Sequence, residues 1–214
     1  MTATLRIALA QIDPTVGAVA DNAELIARVY RETASLDVDL VVFPELCIAG
    51  YPPEDLVLKP AFQRACRRAV EELAPITSDG PAMVVGVPWA EDHKLYNAAV
   101  LLQGGELATW RAKHVLPNYG VFDEVRVFDE GPIPGPVPFG LRDGTMVRLG
   151  VMVCEDMWVE DVAEALEECG AELLLVPNGS PFDVEKGDVR LQQAVARVTE
   201  TGLPLVYVNQ VGGQ

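Results

Sequence analysis

Apolar and polar positions along this chain follow two alternating periods. Short apolar runs recur at 5–12 (LRIALAQI), 39–46 (DLVVFPEL), 82–89 (AMVVGVPW), 96–103 (YNAAVLLQ), 147–154 (VRLGVMVC), 172–179 (ELLLVPNG) and 204–210 (PLVYVNQ). Several are apolar on both faces, which predicts strands in sheets covered on both sides. Between them lie segments with helical spacing. The first, 22–36, follows Asp21 as a candidate N-cap. The second, 60–76, opens on Pro60, which suits a first helical turn. Two more, 160–170 and 188–202, end at Gly170 and Gly202, which suit a C-terminal stop.

This alternation predicts an α/β fold. One interruption changes the sheet type. Gly104-Gly105 separates YNAAVLLQ from ELATWRAKH, and two glycines between strand-like runs predict a tight hairpin and so a mixed sheet. The Pro- and Gly-rich segment 118–144 is weakly periodic and long for a bare loop, which predicts a covering or functional role. With no repeat, low-complexity tract or linker, the 214 residues read as one domain.

Charge narrows the partners. The formal net charge is −16, from 32 acidic and 16 basic residues. That disfavours nucleic acid and anionic membrane surfaces, both of which select clustered Lys and Arg. No apolar run reaches the roughly 18 residues of a membrane span, and the N-terminus lacks a secretory pattern, so a cytoplasmic location is expected. The four cysteines, Cys47, Cys66, Cys154 and Cys169, form no CxxC pair, and free thiols in a reducing compartment are expected. With only His93 and His114 present, a His-rich metal site is disfavoured.

Candidate chemistry lies at three strand ends, where α/β sheets gather their sites. Glu45 follows DLVVFP, Lys113 follows ELATWRA, and Cys154 follows RLGVMV. Each alone has a bland reading: a cap, a surface lysine, a small core residue. Together they form a complete set for attack on a carbon bonded to nitrogen. A carboxylate accepts the thiol proton, an ammonium and the Glu155 N–H receive the oxyanion, and the thiolate is the nucleophile. Cys47, close to Glu45, is the rival nucleophile. A Cys154–His114 pair is the rival mechanism, although neighbours on a strand face opposite ways, which favours Lys113 over His114.

The motifs VVFPELCIAGYP, WRAKHVLPNYGVFDE and GVMVCEDMW resemble the Glu–Lys–Cys centres of the nitrilase superfamily, the carbon–nitrogen hydrolases. GYPPEDLVLKPAF, LPNYGVFDEVRVF, NGSPF and YVNQVGGQ narrow the resemblance to the glutaminase domains of glutamine-dependent NAD synthetases. The resemblance implies an α-β-β-α sandwich with mixed sheets. It implies Glu45 as base, Lys113 as oxyanion stabiliser, Cys154 as nucleophile and Glu124 as a second active-site glutamate. It further implies that Tyr51, Phe122, Trp158 and Ser180 shape the pocket or hold glutamine. Aromatic core filling and a turn residue are the competing readings of those four. Glutamine is the implied substrate, a synthetase domain the implied partner, and a homo-oligomer the implied assembly. No ATP-binding pattern occurs, so no cofactor is expected in this chain, with ATP and magnesium confined to an absent synthetase domain. The last strand-like run ends where family members continue, so a sandwich truncated at its C-terminal side is expected, with an unpaired sheet edge. A stand-alone amidase or nitrilase, and an inactive binding fragment, remain alternative readings.

Overall fold

The structure is a computed structural model that describes residues 4–181 and 186–212. Two sheets form its centre. The first is five-stranded in the order β1 (Ile7–Leu9), β2 (Leu40–Val42), β3 (Ala82–Glu91), β4 (Lys94–Gln103) and β5 (Glu106–Ala112). β1, β2 and β3 run parallel, while β3, β4 and β5 form an antiparallel meander. The second sheet is ordered β6 (Val137–Gly140), β7 (Met146–Val151), β8 (Leu173–Asn178) and β9 (Leu205–Asn209), antiparallel at β6–β7 and parallel beyond. Both sheets are mixed, and Gly104 and Gly105 carry the left-handed backbone of the β4–β5 hairpin with φ of 63° and 88°.

Side-chain alternation sorts the sheets into layers. Leu40 and Val42 face one way and join Val84, Leu101, Phe139, Leu149, Val151 and Leu175 in a core between the two sheets. Val41 faces the other way, with Phe43, Met83 and Val85, into a core covered by Ile26 and Tyr30 of α1 (Val19–Ala34) and by Val70 and Leu73 of α2 (Pro60–Leu73). On the far side, Leu174 and Val176 pack against Val162, Ala163 and Leu166 of α3 (Glu160–Glu168) and Ala194 of α4 (Lys186–Thr201). The result is an α-β-β-α sandwich whose inner strands are apolar on both faces, as their sequences require.

Three local expectations are corrected. α1 begins at Val19, with Ala18 at its N-cap, so Asp21 lies inside the first turn, where its charge suits the helix dipole. The α-helical part of 60–76 stops at Leu73, because Pro75 has no N–H to continue it, and the chain runs on as a 3-10 turn over Ala74–Thr77. The weakly periodic segment 118–144 contains a strand that its periodicity does not predict, the edge strand β6. Pro138 inside it is tolerated at an edge, where one side of the strand makes no ladder bonds.

Gly86 of β3 fixes how closely the chain after β2 lies on the sheet. A Cβ on Gly86 would sit 2.2 Å from the Leu46 nitrogen, 2.5 Å from the Pro44 oxygen and 2.6 Å from the Glu45 carbonyl carbon, all of them backbone atoms. Gly86→Ala should therefore push the 44–46 turn off the sheet and lower stability by about 1–3 kcal/mol. Gly135→Ala, which meets nothing within 4 Å, serves as the silent control in the same denaturant titration.

Candidate active site

The turn after β2, the end of β5 and the turn after β7 converge. β2 stops at Val42, and Glu45 enters a turn in which Leu46 adopts a left-handed φ of 47°. Lys113 directly follows β5, its N–H bound to the Asn97 carbonyl at 2.7 Å. β7 stops at Val151 rather than reaching Cys154, and Cys154 opens a short 3-10 turn, Cys154–Trp158, with a φ of 49°. Left-handed backbone at a non-glycine residue costs on the order of 1–3 kcal/mol and persists only where the surroundings enforce it. Here it occurs at the candidate nucleophile and next to the candidate base.

The side chains meet in a buried polar cluster. Lys113 Nζ donates to Glu45 Oε1 at 2.8 Å and to Glu124 Oε1 at 2.9 Å. Asn97 Nδ2 bridges the same two carboxylates, to Glu45 Oε1 at 2.8 Å and Glu124 Oε2 at 3.2 Å. The Tyr51 hydroxyl donates to Glu124 Oε1 at 2.8 Å. Lys113, Glu45 and Asn97 have no exposure at all, and Cys154 has 3%.

Electrostatics follow from this burial. Burial disfavours the Lys113 ammonium, but the Glu45 and Glu124 carboxylates outweigh it and hold the group well above the ordinary lysine range. Burial raises Glu124, Lys113 lowers it, Glu45 raises it again, and the balance is upward. Burial, and then the charge of Glu45, hold the Cys154 thiol well above its ordinary range, with Lys113 pulling the other way. At rest the Cys154 side chain is thus held as a thiol beside Glu45. Burial and the two carboxylates also raise Tyr51, which therefore acts as a hydroxyl donor.

The remaining site candidates divide. Tyr51 and Phe122 line a cavity of about 430 Å³ together with Pro14, Gly179 and Gln210. Glu155 follows Cys154 in its turn, and its carboxylate accepts the Tyr119 hydroxyl at 2.8 Å. Tyr119, Phe122 and Tyr51 form an aromatic row with centroid spacings of 5.4 and 6.5 Å. Ser180 is buried, and its hydroxyl accepts from Arg190 Nη2 at 3.3 Å. Trp158 packs against the core of Met152, Met157 and Val162 on the α3 side and does not line this cavity. The rivals are set apart as well. His114 Nδ1 lies 2.7 Å from the Gly131 carbonyl, beside Glu130. Cys47 points into the helix-side core, bound to the Gly86 carbonyl, with burial pushing its thiol up to about 12.

Sequence reasoning missed Asn97, Tyr119 and Asp156. Asn97 carries the clearest clue, a buried carboxamide inside the apolar stretch of β4. Asp156 is wholly buried; Oδ1 accepts the His114 and Val115 N–H groups at 2.9 and 2.8 Å, and Oδ2 accepts Val153 N–H at 2.8 Å. Burial pushes its carboxyl up to about 6 from an ordinary 3.8, against the pull of those three N–H donors and of Lys113.

Comparison with known proteins gives the family and agrees with the fold. Residues 6–214 match the family described as carbon-nitrogen hydrolase. A glutamine-dependent NAD(+) synthetase of Rhodobacter capsulatus is 49% identical over 100% of this chain, which spans 38% of that relative's length. The structure of glutamine-dependent NAD+ synthetase from Acinetobacter baumannii superposes with a TM-score of 0.89 at 35% identity, over 98% of this chain and 39% of that one. A variant of an amidase from Nesterenkonia sp. AN1, solved with acrylamide added at its active-site cysteine, has a TM-score of 0.82 at 25% identity, over 98% and 80% of the two chains.

Two outcomes are expected. Asn97→Leu keeps the volume but leaves both carboxylates short of a donor, and should lower stability by about 1–3 kcal/mol in a urea titration while slowing any turnover at this site. The second concerns pH. As the pH falls, folded Asp156 takes up its proton near 6, while the unfolded chain holds out to 3.8. Asp156 therefore adds stability below that window and withdraws it as the pH rises through it, by about 3 kcal/mol in all. Asp156→Asn cannot titrate, so the wild-type stability relative to this variant should rise by most of that amount between pH 7 and pH 4. Unfolding free energies at the two pH values measure it.

Proposed function

This chain belongs to the carbon–nitrogen hydrolase family, and from that premise we propose that it hydrolyses the side-chain amide of glutamine to glutamate and ammonia. The observation that carries this reading is the fully buried Lys113 ammonium held between Glu45 and Glu124 beside Cys154. The likeness to glutamine-dependent NAD synthetases over the whole chain supports glutamine as the substrate.

The steps use only these groups. Glu45 accepts the thiol proton as Cys154 sulfur bonds to the carboxamide carbon. The oxyanion that forms is met by the Lys113 ammonium and the Glu155 N–H, an electrostatic contribution larger in a dry site than in water. The intermediate collapses with cleavage of the carbon–nitrogen bond, and the proton held by Glu45 goes to the departing nitrogen as ammonia. Water then attacks the thioester, losing a proton to Glu45. The carbon–sulfur bond breaks, the proton returns to sulfur, and glutamate leaves. Glu124 keeps Lys113 charged and aimed, and Tyr51, Phe122, Glu155 and Ser180 shape or hold the substrate.

In this reading the ammonia passes to a synthetase partner, where ATP and magnesium would be used to amidate deamido-NAD, and the chain itself needs no cofactor. The work belongs in the cytoplasm, where the four unpaired cysteines remain reduced. No helix among the described residues is long and apolar enough to cross a membrane.

Purified chain given glutamine should release glutamate and ammonia in equal amounts. Hydroxylamine should divert the thioester to the γ-hydroxamate, and Cys154→Ala should lower turnover about a thousandfold or more. Glutamine left intact by a chain that cleaves another amide would overturn the assignment.

A further inference from the structure

One carboxylate joins the two halves of the site. Lys113 ends a strand of the first sheet, and Cys154 follows a strand of the second. Asp156 Oδ1 holds the two N–H groups directly after Lys113, and Oδ2 holds the N–H directly before Cys154. The Asp156 N–H also returns to the Val153 carbonyl at 3.1 Å, which closes the turn that imposes the left-handed φ on Cys154. We propose that Asp156 is a positioning residue for the reaction: its carboxylate sets the separation and aim of the Lys113 ammonium relative to the Cys154 sulfur by clamping the two strand ends across the sheets.

A turn cap would need only the Val153 arm. The His114 and Val115 arms reach 42 and 41 residues along the chain to the segment just after β5 of the other sheet, which a local cap does not require. The burial that pushes this carboxyl up shows that the ionised form is a burden on folding. A costly buried charge that bridges two reacting groups fits a part kept for the site rather than for stability. The inference rests on the reading of Lys113 and Cys154 as one catalytic unit.

Asp156→Asn in the full chain tests it. The carboxamide keeps the shape but can accept on one side only, and its NH2 meets a backbone N–H on the other. Misplacement near 1 Å costs roughly a hundredfold in rate, so kcat for glutamine should fall about 10- to 100-fold with KM changed less than about threefold. Alkylation of Cys154 by iodoacetamide, located by mass spectrometry with Cys169 as the exposed control, should slow about tenfold under the same reasoning while the neutral-pH melting temperature holds within a few degrees. Asp156→Glu keeps the charge but shifts the oxygens by a methylene, and should stay impaired. Wild-type kcat and alkylation rates in a folded Asp156→Asn chain, or full rescue by Asp156→Glu, would overturn the proposal. Should the variants not fold, amide exchange in the wild-type chain decides: His114, Val115 and Val153 should be protected to a similar degree, and a Val153 amide protected while the other two exchange freely would overturn it. Failure of the wild-type chain to release glutamate removes the glutamine reading alone, since the alkylation comparison still decides the role of Asp156.

Discussion

Lys113 places a cation with no solvent exposure between two carboxylates, and much of the site's architecture answers to that fact. A buried ammonium alone would be untenable, and two buried carboxylates alone would repel each other. Held together, one positive and two negative groups leave an excess of one negative charge. Asn97 spreads part of it by giving both hydrogens of its amide to the two acids, and Tyr51 gives a third donor. Each partner comes from a different stretch of chain, so the cluster can form only when β2, β4, β5 and the 124–126 turn are all in place. The charge arrangement thus demands the fold, as the fold supplies the charges.

Close backbone approach makes this possible. Gly86 lets the 44–46 turn rest on β3 without a side chain between them, which brings Glu45 down to the level of Lys113. The left-handed residues at Leu46 and Cys154 mark where the chain is bent away from its easiest path to aim a side chain inward. The bend is tolerated because both turns are packed in: Leu46, wholly buried, clusters with Tyr51, Val57 and Phe122, and Cys154, nearly so, joins the core between the sheets.

Much of this was legible in the residues. Doubly apolar runs predicted the inner strands, the Gly104-Gly105 pair predicted the hairpin, and three reactive side chains at strand ends predicted where chemistry gathers. β6 was hidden because an edge strand with Pro138 carries little periodicity. Asn97 and Asp156 were hidden for another reason. Their importance lies in partners 27 to 52 residues away, and no local pattern encodes which distant backbone or carboxylate a buried polar group will meet. Trp158 stands in the motif that carries Cys154, and the 3-10 turn packs it on the helix side with Met152, Met157 and Val162.

The two oxygens of Glu45 divide the proposed work. Oε1 accepts from both Lys113 and Asn97 and is thereby fixed. Oε2 is buried and accepts from no other nitrogen or oxygen donor among the described residues. Burial first, and then the charge of this carboxylate, hold the Cys154 thiol up. Gly179 lies against Oε2, where a Cβ would come within 2.9 Å. A free thiolate in this acid-rich pocket would raise the local negative charge to two, which the neighbouring Glu124 disfavours. Passing the proton to Glu45 only as sulfur attacks avoids that state, because the charge lost by the carboxylate reappears on the oxyanion, where Lys113 already stands. In the proposed reaction the raised thiol is therefore compatible with proton transfer to Glu45 as a general base and is not an obstacle to it.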